Sequence, residues 1–115
     1  HARALATRGG IYDADVVLIP LEDGDRCEAL LAMGKRVIAI DLNPLSRTAK
    51  KATVSIVDNI LRAVPQLTEE VRQLSNKPRP DLEKILNEYD NQETLAGSVQ
   101  EIRDHLDEQF RKGSD

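Results

Sequence analysis

The apolar positions of this chain fall into two kinds of pattern. Three short runs are nearly continuous and rich in β-branched residues: 15–19 (DVVLI), 36–40 (RVIAI) and 53–57 (TVSIV). Runs of that length predict strands covered on both faces. Between the first two, residues 22–34 carry Cys27, Leu30 and Leu31 at helical spacing and close on Gly34, a helix stop. Strands joined through a helix imply a right-handed parallel crossover. Residues 1–75 therefore read as an open α/β sheet.

The second pattern has a period of 3.6. Over 59–75 it places Ile60, Leu61, Val64, Leu67, Val71 and Leu74 on one helical face, with Pro65 as a kink or a first-turn marker. Residues 76–80 (NKPRP) read as a hinge. Pro80 suits a first helical position, predicting a helix near 80–88 with Leu82, Ile85 and Leu86 inward. A further amphipathic helix over 92–111 carries the stripe Leu95, Val99, Ile102 and Leu106. At the amino-terminal end, residues 1–12 read as a helix tail stopped by Gly9 and Gly10. The expected organisation is an α/β portion over 1–75 and a hinge with a helical segment over 76–115.

Composition narrows the picture. With no tryptophan, one phenylalanine and two tyrosines among 115 residues, the core must be aliphatic. Residues 1–58 hold eight Lys/Arg and eight Asp/Glu; residues 59–115 hold eight and twelve, so the net charge of −4 lies in the second half. That argues against a nucleic-acid surface, which requires a basic stripe. One cysteine, Cys27, allows no internal disulfide and suits a reducing cytoplasm. No apolar run approaches the ~18 residues of a membrane span.

In open α/β sheets ligands bind at the carboxyl ends of the strands. Here those ends carry Glu22-Asp23-Gly24-Asp25, Asp41-Leu42-Asn43 and Asp58-Asn59, which should share one rim. Asp41 stands where dinucleotide-binding folds keep a ribose acceptor, yet neither Gly-x-Gly-x-x-Gly nor a Walker loop is present; a solvated capping role fits it equally. The connection after it is more pointed. Asn43-Pro44 sets a turn, and Arg47, Thr48, Lys50 and Lys51 form a donor set suited to a polyphosphate. The plainer alternative is a solvated loop that screens Asp41 and Asp58. The 20–26 stretch (PLEDGDR) holds carboxylates close enough for a divalent cation but lacks calcium-loop spacing; a helix start with Asp25 as N-cap is the better fit. Cys27 and Met33 fall at core spacing. His105 sits on a charged helix beside no nucleophile and reads as a surface residue.

Taken together, "PLEDGDR", "AIDLNPLSRTA" and "IVDNI.RA.P" closely resemble the archaeal-type phosphopantothenate synthetases, the 4-phosphopantoate–β-alanine ligases of coenzyme A biosynthesis. The likeness is firm over 11–75 and looser over 80–110. It implies a Rossmann-like fold and an ATP-dependent, AMP- and pyrophosphate-forming ligase that joins 4-phosphopantoate to β-alanine. It further implies magnesium and a homodimer; cysteine usage, charge and hydropathy point to a cytoplasmic location, with neither nucleic acid nor membrane as partner. Carried over by position, its nucleotide contacts fall on Asp41, Leu42, Asn43, Arg47, Thr48, Asn59 and Ile60. Family members are about twice as long, and their amino-terminal half supplies further basic residues for ATP. The expectation is thus a carboxy-terminal portion holding part of the ATP site, with no catalytic residue identified. Two rival classes stand beside it: a non-catalytic nucleotide-binding or dimerisation module, and a helical interaction tail on an inert scaffold.

Overall fold

A computed structural model describes residues 10–21 and 23–113. The helix tail expected over 1–9 lies outside the described residues; residues Ile11–Asp13 form one 3-10 turn. Three strands follow, β1 (Val16–Ile19), β2 (Arg36–Ile40) and β3 (Val54–Ile56), in the spatial order β1-β2-β3 and parallel throughout. Helices α1 (Gly24–Ala32) and α2 (Arg47–Lys51) make the two connections and touch each other. Three more helices complete the chain: α3 (Ile60–Leu74), α4 (Arg79–Glu88) and α5 (Asn91–Gly113). The architecture is α/β, a parallel sheet flanked by helices with a long helix at the carboxyl end.

Strand alternation decides where the core sits. Val37 and Ala39 are fully buried and join Ile19, Cys27, Leu30 and Ala52 in one aliphatic cluster, with Val17 and Leu31 packed against it. The opposite face of β1 is open, with Val16 50% and Leu18 43% exposed. The expectation of coverage on both faces is thus corrected for β1. Both connecting helices lie with the cluster, and among the described residues no element buries β1's other side.

Local signals end the elements. Gly34 adopts φ +83°, the left-handed position that lets glycine close α1. Asp23, not Asp25, is the N-cap of that helix: its Oδ1 accepts from the Arg26 N–H at 3.0 Å. The cap must precede the first helical residue, and the helix begins two residues earlier than the sequence suggested. Met33 lies past the last turn of α1 and is 44% exposed, so it does not join the core. Pro65 falls inside α3, beyond its first turn. Lacking an N–H, it leaves the Leu61 carbonyl without an i+4 donor, at a residue that is 87% exposed and reached by water.

The helical part is sparsely packed. The residues of α3 expected to face inward are largely exposed, and Ala63 is its buried residue. Ile85 and Leu86 of α4 are also exposed rather than inward. Along α5, Leu95 is buried whereas Ile102 and Leu106 are about half exposed. The radius of gyration, 16.8 Å, exceeds the ~13 Å of a compact chain this long. The helices project from the sheet.

One contact returns the carboxyl-terminal helix to the sheet. Asn91, the first residue of α5, accepts at Oδ1 from the Ser55 N–H (2.8 Å) and from the Tyr89 hydroxyl (2.6 Å). Its Nδ2 donates to the carbonyls of Ala49 (3.1 Å) and Ala52 (3.2 Å) and to Ser55 Oγ (3.1 Å). Ser55 lies on β3, an edge of the three-stranded sheet, and Asn91 supplies the partner its outward N–H needs.

Candidate functional site

The strand pairing brings the carboxyl ends of β2 and β3 level, with Ile40 opposite Ile56, and the Asp41 N–H donates to the Ile56 carbonyl at 3.0 Å. On the other side, Ile19 pairs with Ala39. The segments after all three strands therefore meet at one rim, as a parallel sheet requires.

Asp41 organises the middle of that rim. Its Oδ1 accepts from the Asn43 N–H (2.9 Å), and its Oδ2 accepts from the Ser46 hydroxyl (2.5 Å). Asn43 Oδ1 in turn accepts from the Leu45 N–H (2.9 Å), and Ser46 Oγ accepts from the Ala49 N–H (3.0 Å). Ser46 is the N-cap of α2, so residues read as an irregular loop include a short helix at 47–51. A serine one position before an alanine-containing turn is a cap signal, but five residues are too few for hydrophobic period to announce a helix. A carboxylate has about four lone-pair sites, so Asp41 keeps acceptor capacity after these two bonds.

The two halves of the supposed polyphosphate donor set separate. Arg47 points toward α1, where its Nη2 donates to Asp25 Oδ1 and its Nε stands 3.7 Å from Glu28 Oε1. The Asp25 hydrogen bond and charge, with Glu28 and Asp23 adding to them, hold the Arg47 pKa above its ordinary value. Lys50 and Lys51, in the last turn, instead line an open groove of about 480 Å³ on the α5 side, with Leu45, Leu95 and Val99. These four side chains are not one cluster.

The remaining positions divide between rim and scaffold. Thr48 is 1% exposed and its Oγ1 accepts from the Asp23 N–H at 3.0 Å, tying α2 to the start of α1. Asn59 caps α3 by accepting from the Arg62 N–H at 2.9 Å, and its own N–H donates to Asp58 Oδ1 at 2.8 Å. Leu42 and Ile60, 68% and 43% exposed, present apolar surface beside these polar groups. Glu22 lies outside the described residues. His105 is exposed on α5, away from the rim.

The buried thiol is chemically quiet. Burial, with smaller contributions from Glu28 and Asp23, pushes the Cys27 pKa up. Among the described residues, no group of three or more His, Cys, Asp or Glu is placed to hold a metal, and no helix is long and apolar enough to cross a membrane.

Comparison with known proteins extends over nearly the whole chain. Residues 1–105 match the family model described as phosphopantothenate/pantothenate synthetase. The chain is 53% identical over 106 residues to a 4-phosphopantoate–β-alanine ligase of Methanosarcina mazei, covering 92% of this chain and 42% of that protein. Proteins of the same name from Thermococcus kodakarensis (53%) and Thermococcus onnurineus (54%) match over the same 92%, and each is covered to 41% of its own length. The chain thus spans about two fifths of the length of the curated relatives it matches.

Proposed function

The chain belongs to the phosphopantothenate/pantothenate synthetase family, and on that premise we propose that it carries part of the ATP site of a 4-phosphopantoate–β-alanine ligase. The observation that carries this reading is that Asp41, Asn43 and Asn59, on segments that leave the carboxyl ends of β2 and β3, are held by local hydrogen bonds, with Arg47 directed by Asp25, before any ligand arrives. A preset rim loses little conformational entropy on binding.

In the proposed reaction the 4-phosphopantoate carboxylate attacks the α-phosphorus of ATP, forming an acyl-adenylate and releasing pyrophosphate. The β-alanine amine then attacks the activated carbonyl, loses a proton and displaces AMP. No protein nucleophile is required. The residues of this chain position the nucleotide and offset its charge. Asp41 and Asn43 accept from and donate to the ribose or base, and the half-exposed Leu42 and Ile60 give the base an apolar seat. Arg47 supplies a fork of donors to phosphate oxygens. Thr48, buried against the Asp23 amide, serves by fixing α2 under Arg47. Magnesium would add charge neutralisation at the phosphates; the rim offers single carboxylates rather than a cage, a donor set suited to an ion that keeps its waters. A homodimer is part of the proposal, supported by the apolar surface left open on α3 and α5.

The test is ATP consumption that depends on both 4-phosphopantoate and β-alanine, measured on the longer family enzyme with and without Arg47→Ala. Loss of a charged hydrogen-bond donor should lower ATP binding or adenylation about ten- to hundredfold. Unchanged binding and rate would remove Arg47 from the site. A second reading, a non-catalytic nucleotide-binding or dimerisation module, draws on the apolar surface left open on α3 and α5. It predicts nucleotide binding by this chain without turnover when both co-substrates are supplied.

A further inference from the structure

Gly24 opens α1, and its backbone does not call for glycine. Among the described residues the left-handed position is Gly34, so Gly24 adopts torsions open to other residues. Helix propensity favours almost any alternative at this point. What reserves the position is space. A Cβ built on Gly24 falls 2.9 Å from both Cζ and Nη2 of Arg47, and nearer still to its Nε. No real Cβ sits that close, and the obstacle is the far end of a flexible side chain. A methyl group there would move the arginine and leave the helix intact.

The guanidinium also lies where the helix itself repels it. The first turn of α1 carries the positive end of the helix dipole, unfavourable for a cation. Asp25 and Glu28 counter that, Asp25 by a direct hydrogen bond and Glu28 by its charge at 3.7 Å. Both pairs are solvent-exposed, so neither adds much stability. Their effect is to choose one direction for a long side chain that would otherwise sample many.

We infer that Gly24 and Asp25 are positioning residues for Arg47: the missing side chain leaves the guanidinium room to lie across the first turn of α1, and the carboxylate holds it there. The arginine then faces an incoming anion from a prepared place. The inference rests on the ATP reading for its consequence and on geometry for its substance. Residues 24 and 25 touch the proposed ligand only through Arg47.

The experiment follows the Arg47 Nε–Hε resonance of the 15N-labelled chain, assigned by its disappearance in Arg47→Ala, together with ATP calorimetry. Gly24→Ala should move that resonance to the position of a freely solvated arginine, and Asp25→Asn should move it part of the way. Gly24→Ala should weaken ATP binding about fivefold while the melting temperature stays level or rises. In the Arg47→Ala background the same change should alter affinity less than about twofold, because the shared partner is gone. A resonance that stays in place in Gly24→Ala, or an affinity loss undiminished in the double variant, overturns the inference. So does a lower melting temperature that persists without Arg47, since the glycine would then be serving the backbone. If Arg47→Ala leaves ATP affinity intact, Arg47 is removed from the proposed ATP site, and the resonance alone still decides whether Gly24 and Asp25 place the arginine.

Discussion

Helices α1 and α3 carry the same kind of apolar stripe, and their fates differ. Cys27 and Leu30 of α1 are 0% and 5% exposed against the sheet. In α3, Leu61 and Val71 stand 87% and 59% exposed although the stripe is longer and better defined. The difference lies in connection. α1 is a crossover between paired strands, so closing the β1-β2 ladder forces it onto the sheet face. α3 leaves β3, and among the described residues no later strand joins the sheet. An amphipathic helix announces a surface to be covered, whereas the topology decides whether this chain covers it.

The contrast can be broken at several points. Val37→Ala, at a fully buried site in the strand core, should cost about 2–3 kcal/mol in urea unfolding; a cost near zero would mean the sheet core is not what holds the fold. Asn91→Ala should cost about 2 kcal/mol, since it leaves the Ser55 amide and the Ala49 and Ala52 carbonyls short of a partner. Hydrogen exchange at Ser55 should accelerate with it, and unchanged protection would show that α5 is held by other contacts.

Cys27 offers a gentler probe of the same core. Its raised pKa means that the folded protein keeps the thiol proton more tightly than the unfolded chain does. Its contribution to stability is whole below the ordinary thiol range. It falls as pH rises through that range towards the folded value, as the unfolded state loses its proton first. Cys27→Ala should flatten that alkaline decline, and at neutral pH the native thiol should react with a thiol reagent far more slowly than the denatured one. The smallest effect is expected at Leu61→Ala, within about 0.5 kcal/mol for this chain by itself. A large loss there would reveal a partner for α3 under the conditions used.

Much of the fold was legible. Three β-branched runs became three strands within a residue or two, and Gly34 ended α1 as its lack of Cβ allows. Errors cluster where tertiary contacts choose between equivalent local options. Asp23 and Asp25 are both good caps two residues apart, and Thr48's claim on the Asp23 amide accompanies a helix start at Gly24. The 47–51 helix is too short for periodicity to reveal, and it depends on Ser46, itself held by Asp41. For the rim, the segments after β2 and β3 lie level at the carboxyl edge, as the strand pairing requires. Residue type alone could not separate Arg47, turned toward α1, from Lys50 and Lys51, turned toward α5. Asn91 carried no signal in the sequence, because its four hydrogen bonds to partners 36 to 42 residues away leave no mark on local pattern.

By itself the sequence determined the strands, the longer helices, the aliphatic core and the polar segment after β2, because each depends on near neighbours along the chain. It also carried the family motifs. The tertiary structure alone decided which faces were covered, which acid became a cap and which an arginine's partner, and why position 24 has no side chain. These are set by groups 20 to 40 residues apart meeting in space, as Arg47 meets Asp25 and Asn91 meets Ser55. Local propensity reports what a residue can do, and only packing settles which of its options is left open.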